Sequence, residues 1–235
     1  MKIQRKLALM TLGLIAGACG DDGAAATDGG GTPTTCGFED RYLPYQAGYS
    51  WTYSVTDLVA GDVFTKSQSL ATGTHPTFGD VIVQTTNKAN GSTVSALQVV
   101  QNATQDAVVR LEQEDRNGAG DLERTTTYDA GQTRLDEHPD RIVLDATWQE
   151  TYTATTVEAT GVPPDTSVER TDTWTVLGVD VDCTSPFGEL KCLHVRRVRT
   201  VMGTQTSNKE FFFAKGVGKV KEANGSQLEE LVGCE

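Results

Sequence analysis

Along most of the chain apolar residues recur at every second position. Trp51, Tyr53 and Val55 alternate with Ser50, Thr52 and Ser54, while Tyr152 and Ala154 alternate with Thr151 and Thr153. Val81 and Val83 flank Ile82, and Phe211 and Phe213 flank a third phenylalanine. A period of two sends neighbouring side chains to opposite faces, so each run predicts a strand with one face toward a core. The abundance of Thr and Val suits a half-buried pleated surface, and helical periodicity is hard to find. Turn signals separate the runs: Ala60-Gly61-Asp62, Asn90-Gly91, Asn117-Gly118, Ala130-Gly131, Gly161, Met202-Gly203 and Asn224-Gly225. Asn-Gly supplies the positive φ angles of a type I′ turn and so marks hairpins. The pattern predicts an all-β antiparallel meander of roughly ten to twelve strands. That many strands should curl into a barrel, a half-barrel or a two-layer sheet.

The first 35 residues break this pattern. Lys2, Arg5 and Lys6 precede an uncharged run from Leu7 to Ala18, the layout of an export leader. The run is shorter than the about 20 apolar residues of a spanning helix. Ile15-Ala16-Gly17-Ala18-Cys19 resembles the bacterial lipobox, in which small residues precede a cysteine that is diacylated and becomes the new N-terminus. Ala16 stands where that motif usually carries Leu. The resemblance implies a lipid on Cys19, the alternative being an ordinary leader cut after Ala16 or Ala18. Acyl chains, at about 0.8 kcal/mol per buried CH₂, would anchor the protein to a bilayer with no help from the folded domain. In a Gram-negative host, Gly20 rather than Asp after the cysteine favours the outer membrane.

Gly20 to Thr35 holds Gly, Ala, Thr and Asp with one Pro, which reads as a flexible linker. The expected division is a leader over 1–18, lipidated Cys19 and linker over 19–35, and one β-rich domain over 36–235. Gly161 to Asp165, with two prolines, is the best alternative boundary and serves equally as a loop.

Charge narrows the partners. The chain carries 20 basic and 32 acidic residues, a net charge of −12, and loss of Lys2, Arg5 and Lys6 with the leader leaves 17 basic residues and a net −15. Nucleic acid and anionic head groups should be repelled. No positive partner is named by this balance, and the oligomeric state is not legible.

With Cys19 assigned to lipid, Cys36, Cys183, Cys192 and Cys234 remain, an even set that in an exported chain implies two bridges. Of the three connectivities, Cys183–Cys192 with Cys36–Cys234 is preferred, because the first pair brackets the turn Pro186-Phe187-Gly188 and the second sits at the two edges of the domain. A zinc reading of Cys183, Cys192 and His194 has the wrong spacing and the wrong redox compartment.

Catalytic constellations are absent: the histidines at 75, 138 and 194 are scattered, and no nucleophile elbow, Walker or dinucleotide motif occurs. No cofactor and no enzymatic activity are expected. Asp115 to Asp121 places Asp115, Asn117 and Asp121 at the first, third and seventh positions of a calcium-type loop with Gly120 sixth. A fifth-position ligand is missing and Thr126 replaces the bidentate Glu, so an acidic hairpin tip is the plainer reading. Two aromatic groups, Tyr42, Tyr45, Tyr49, Trp51 and Tyr53, and Phe211 to Phe213, could be core or could line a ligand site.

The block Pro44 to Gly48 to Trp51 to Tyr53, read as P-x-x-x-G-x-x-W-x-Y, and the block Ala214 to Val220, read as a-x-G-V-G-x-V, resemble a widespread group of uncharacterised β-rich bacterial lipoproteins. The resemblance implies a curved antiparallel sheet, sometimes compared with periplasmic lipoprotein carriers, and brings no catalytic residue. The expectation is a lipid-anchored envelope protein that binds or carries a hydrophobic or small ligand. The alternative is a structural lipoprotein that recognises an envelope protein by its outer face or sheet edge.

Overall fold

The computed structural model describes residues 36–161 and 165–235. Twelve antiparallel strands run in sequence order: β1 (Ser50–Asp57), β2 (Val63–His75), β3 (Gly79–Lys88), β4 (Gly91–Asn102), β5 (Gln105–Asn117) and β6 (Leu122–Asp136), then β7 (Thr147–Glu158), β8 (Thr166–Ser185), β9 (Gly188–Val201), β10 (Thr204–Ala214), β11 (Gly218–Ala223) and β12 (Gln227–Cys234). Each strand pairs with its neighbour in sequence, and β12 returns to β1, closing a barrel. Of the three curled forms expected, the chain adopts the closed one. Closure gives every strand two partners and leaves no terminal strand in the sheet order.

Local chemistry explains several turns. Met202 and Gly203, both at positive φ, join β9 to β10 as a two-residue hairpin. The Asn224 side chain accepts the amide N–H groups of Ser226 and Gln227 and so turns β11 into β12. Ala130-Gly131 is not a hairpin: both residues have positive φ inside β6, where they kink the strand beside a register shift against β5. Gly161 closes the β7–β8 connection, of which Val162 to Pro164 lie outside the described residues.

The inward face follows the expected parity on β1, β7 and β10, where Trp51, Tyr53, Val55, Tyr152, Ala154, Phe211 and Phe213 are buried. On β3 Val81 is buried, but from Gln84 onward the inward side takes the other parity. Gln84 and Thr86 face the lumen, opposite Leu70 and Gln68 of β2, and Val83 is only half-buried. Outward positions of β7 and β8 are largely hydroxyls and amides, tied across the strands by Gln149–Thr173, Thr151–Thr171 and Thr155–Ser167 hydrogen bonds at 3.1, 3.1 and 3.2 Å. That is the reverse of the outward apolar band of a membrane-spanning barrel.

A twelve-strand barrel is too wide for its own side chains to fill. One end is therefore stoppered by the segment preceding β1, which buries Tyr42, Leu43 and Tyr45 against the core of Trp51, Leu97, Leu135, Trp174, Leu193 and Phe213. The stopper is held by Glu137, whose carboxylate accepts the amide N–H groups of Tyr42 and Leu43 at 2.8 and 2.9 Å. At the same end Cys36 is bonded to Cys234, and Cys183 to Cys192 across the β8–β9 hairpin.

Candidate functional site

Above the stopper the lumen changes character. Its floor is aromatic: Tyr45, Trp51, Tyr53, Phe211 and Phe213 surround a small void of about 30 Å³. Beyond lies a chamber of about 180 Å³ lined by Lys66, Lys88, Arg110, Arg134, Arg197, Lys209 and Lys219 with Glu222 as its one carboxylate. Gln68, Arg134, Arg197, Phe211 and Lys219 border both spaces, so the two adjoin. Exposed Lys88 stands at the mouth, beside the β3–β4 turn.

The strands place these charges by the same alternation that builds the core. Arg197 and Arg199 continue the inward parity of Leu193 and Val195 on β9, and Lys209 continues that of Phe211 and Phe213 on β10. Arg134 arrives differently. Val108 pairs with Leu135 and Val109 with Thr133, so Arg134 is the extra residue of a β-bulge and is turned into the lumen.

Two networks organise the charges. Lys66, Glu229, Lys219, Glu222 and Lys209 alternate in a line across β2, β12, β11 and β10. Lys219 reaches both carboxylates at 2.6 Å, Lys209 lies 2.6 Å from Glu222, and Lys66 closes on Glu229. Despite their burial, the surrounding ammonium groups hold the Glu222 carboxyl well below the usual carboxylate range. Burial and the nearby Lys219 push the Lys66 ammonium down to about 8. Lys66 and Lys219 also sit over the Tyr53 ring, 5.2 and 5.1 Å from its centroid.

The second network centres on fully buried Asp172. Arg199 grips it with two bonds of 2.7 Å, and the Tyr152 hydroxyl donates to it at 3.2 Å. Arg197 reaches the same carboxylate only at 3.8 Å and lies over the rings of Trp174 and Phe211.

The residues singled out in the sequence fall elsewhere or change role. Cys19 lies outside the described residues. Asp115 is engaged by Arg124 at 2.7 Å, Gln113 at 2.9 Å and Thr93 at 3.1 Å, while the Asn117 carbonyl caps the amides of Ala119 and Asp121 in the hairpin turn. These contacts occupy oxygens that a calcium loop would present, and no group of His, Cys, Asp and Glu suited to a metal occurs among the described residues. His194 meets Glu210 at 3.0 Å and stacks on Phe212, apart from the Cys183–Cys192 bridge. None of the three histidines lines the chamber.

A larger depression, about 720 Å³, is a groove along β2, β3 and β4 with Asp80 as its one charged residue. The aromatic clusters were legible in sequence, but the basic lumen was missed. Its signal was present in Leu193-x-Val195-x-Arg197-x-Arg199, where cations continue an apolar parity.

No protein-family profile and no curated protein matches the chain. Among solved structures, a Bacteroides fragilis protein called exported, with a YmcC-like fold, aligns at a TM-score of 0.48 and 11% identity over 85% of this chain and 100% of its own. A Parabacteroides distasonis protein called a lipoprotein aligns at a TM-score of 0.43 and 9% identity, over 84% of this chain and 99% of its own. The functional reading rests on the chain's own residues.

Proposed function

We propose that the protein is a lipid-anchored envelope module that holds a small ligand inside its barrel and performs no chemistry on it. The observation that carries this reading is the cavity itself: a stoppered aromatic floor, converging polar side chains, and a mouth beside Lys88. Pockets for drug-sized ligands run roughly 300–1,000 Å³. An apolar floor of about 30 Å³ is far too small for an acyl chain, so the ligand is compact rather than lipid-like. The anchor is the acylated Cys19 implied by the lipobox resemblance.

Native mass spectrometry of the protein released gently from its own membranes tests both halves. A bound small molecule and a diacylglyceryl mass on Cys19 are expected. An unmodified Cys19 would remove the anchor. A lumen that carries nothing, and that no small molecule stabilises, would remove the binding role.

A second reading, an outer-membrane lipoprotein that recognises another protein, draws on the β1–β2 tip, where Leu58, Val59 and Val63 are 55%, 82% and 65% exposed. Capture of an envelope protein by the wild type but not by a Leu58→Ser/Val59→Ser variant would favour it.

A further inference from the structure

We infer that the chamber is built for a compact anion with two or more negative charges, of the phosphate or polycarboxylate class. The inference rests on the binding reading and names the chemistry of its ligand.

Seven cationic side chains face one carboxylate across a space of about 180 Å³. The chain that builds this wall has a net charge of −12, so the basic groups are concentrated here against the trend of the whole molecule. The neighbouring carboxylates are already engaged. Glu222 and Glu229 are each shared by two lysines, Asp172 is gripped by Arg199, and Glu150 accepts the Trp174 indole N–H at 3.1 Å. Arg110, Arg134 and Arg197 have no close carboxylate of their own, and Arg110 donates from Nη1 to the Gln113 side-chain oxygen at 2.5 Å.

Among the described residues neither Arg110 nor Arg134 has a carboxylate at ion-pair distance. Arg197, only 7% exposed, has its nearest at 3.8 Å. The Nε–H groups of Arg110 and Arg197 are buried and find no acceptor. Buried donors are ordinarily satisfied, and unpaired buried cations are among the most expensive groups a fold can carry. Three guanidinium groups around one cavity repel one another until a counter-charge enters: burial, with Arg134 nearby, pushes Arg110 down to about 10. Guanidinium forks match the paired oxygens of phosphate and carboxylate.

Two features make the site selective. The acidic exterior disfavours large polyanions, and the chamber is too small for a polymer. A single negative charge would leave most of the wall unneutralised, hence the requirement for at least two.

The test uses the full mature chain in nonionic detergent, with thermal shift and calorimetric titration at matched ionic strength. Pyrophosphate and citrate are the polyanion probes, with acetate as the monoanion control. Saturable stabilisation by either polyanion and not by acetate is expected, and the tighter of the two identifies the head group. Arg134→Met should weaken that binding by roughly tenfold or more while leaving the empty barrel no less stable, since it removes a repelling charge. Should Arg134→Met fail to fold, Lys88→Glu, at an exposed position, should weaken binding severalfold.

The inference is overturned if neither polyanion acts differently from acetate, or if Arg134→Met folds with unchanged affinity. It is also overturned if a neutral or cationic molecule is found in the barrel, an outcome that leaves the binding module standing. A barrel that carries nothing and responds to no probe overturns both.

Discussion

The indole N–H of Trp51 donates to the backbone carbonyl of Val217 at 2.7 Å, tying the first strand to the turn between β10 and β11. The two residues are 166 positions apart, yet each belongs to one of the two blocks that carry the lipoprotein resemblance. Beside this bond Gly218 adopts a φ of +97°, and a Cβ there would lie 3.1 Å from the Trp51 Nε1. The glycine is required twice, by its backbone angle and by the indole packed against it.

Gly218→Ala should therefore destabilise the barrel by about 1–3 kcal/mol through strain and crowding together. Trp51→Phe, which leaves the Val217 carbonyl unpaired, should lose a similar about 1–3 kcal/mol. Urea unfolding measures both. A loss below about 0.5 kcal/mol in Gly218→Ala would show that the turn relaxes freely.

Lys66 predicts an alkaline gain in stability. Its folded pKa of about 8 lies below the usual lysine value of 10.5, so between these values the unfolded chain binds more protons than the native one. Stability then rises with pH across that window. The Lys66→Met variant should lack this component, while Glu229 keeps its pair with Lys219. From pH 7.5 to about 10 the melting temperature of the wild type should rise relative to that of the variant; parallel curves would refute it.

The two disulfides should differ in worth. Cys36–Cys234 closes a separation of 198 residues and Cys183–Cys192 one of 9. On the chain-entropy account the long bridge contributes about 5 kcal/mol and the short one less than about 3. Replacing Cys36 and Cys234 by Ser should also expose the stopper segment to protease, whereas replacing Cys183 and Cys192 should leave it protected.

Glu137 anchors the stopper from below through two backbone N–H groups and Arg41. Glu137→Ala should lower stability by about 1.5–3 kcal/mol, the range for hydrogen bonds to a charged group. Hydrogen exchange at the Tyr42 and Leu43 amides should accelerate well before global unfolding; unchanged protection would mean that burial alone holds the stopper.

Calcium should leave the melting temperature unchanged, because Asp115 already neutralises Arg124 and Asn117 is spent on the β5–β6 turn. A saturable rise at millimolar calcium would reverse that assignment.

Local pattern alone specifies the all-β antiparallel class, the inward parity of β1, β7 and β10, and most of the hairpin turns, because these follow from neighbours two or three residues apart. It could not decide barrel closure, which depends on a register summed over twelve strand pairings. The kink at Ala130-Gly131 was misread as a turn because positive φ serves both, and only the β5 register tells them apart.

The charged lumen was hidden for a related reason. Alternation says that Lys66 and Glu229 face one side of their strands, but local pattern assigns charge to solvent. The structure brings these residues together across 163 positions on the inside of a barrel too wide to be filled by apolar groups alone. Only there do separate lysines and arginines become the wall of one chamber.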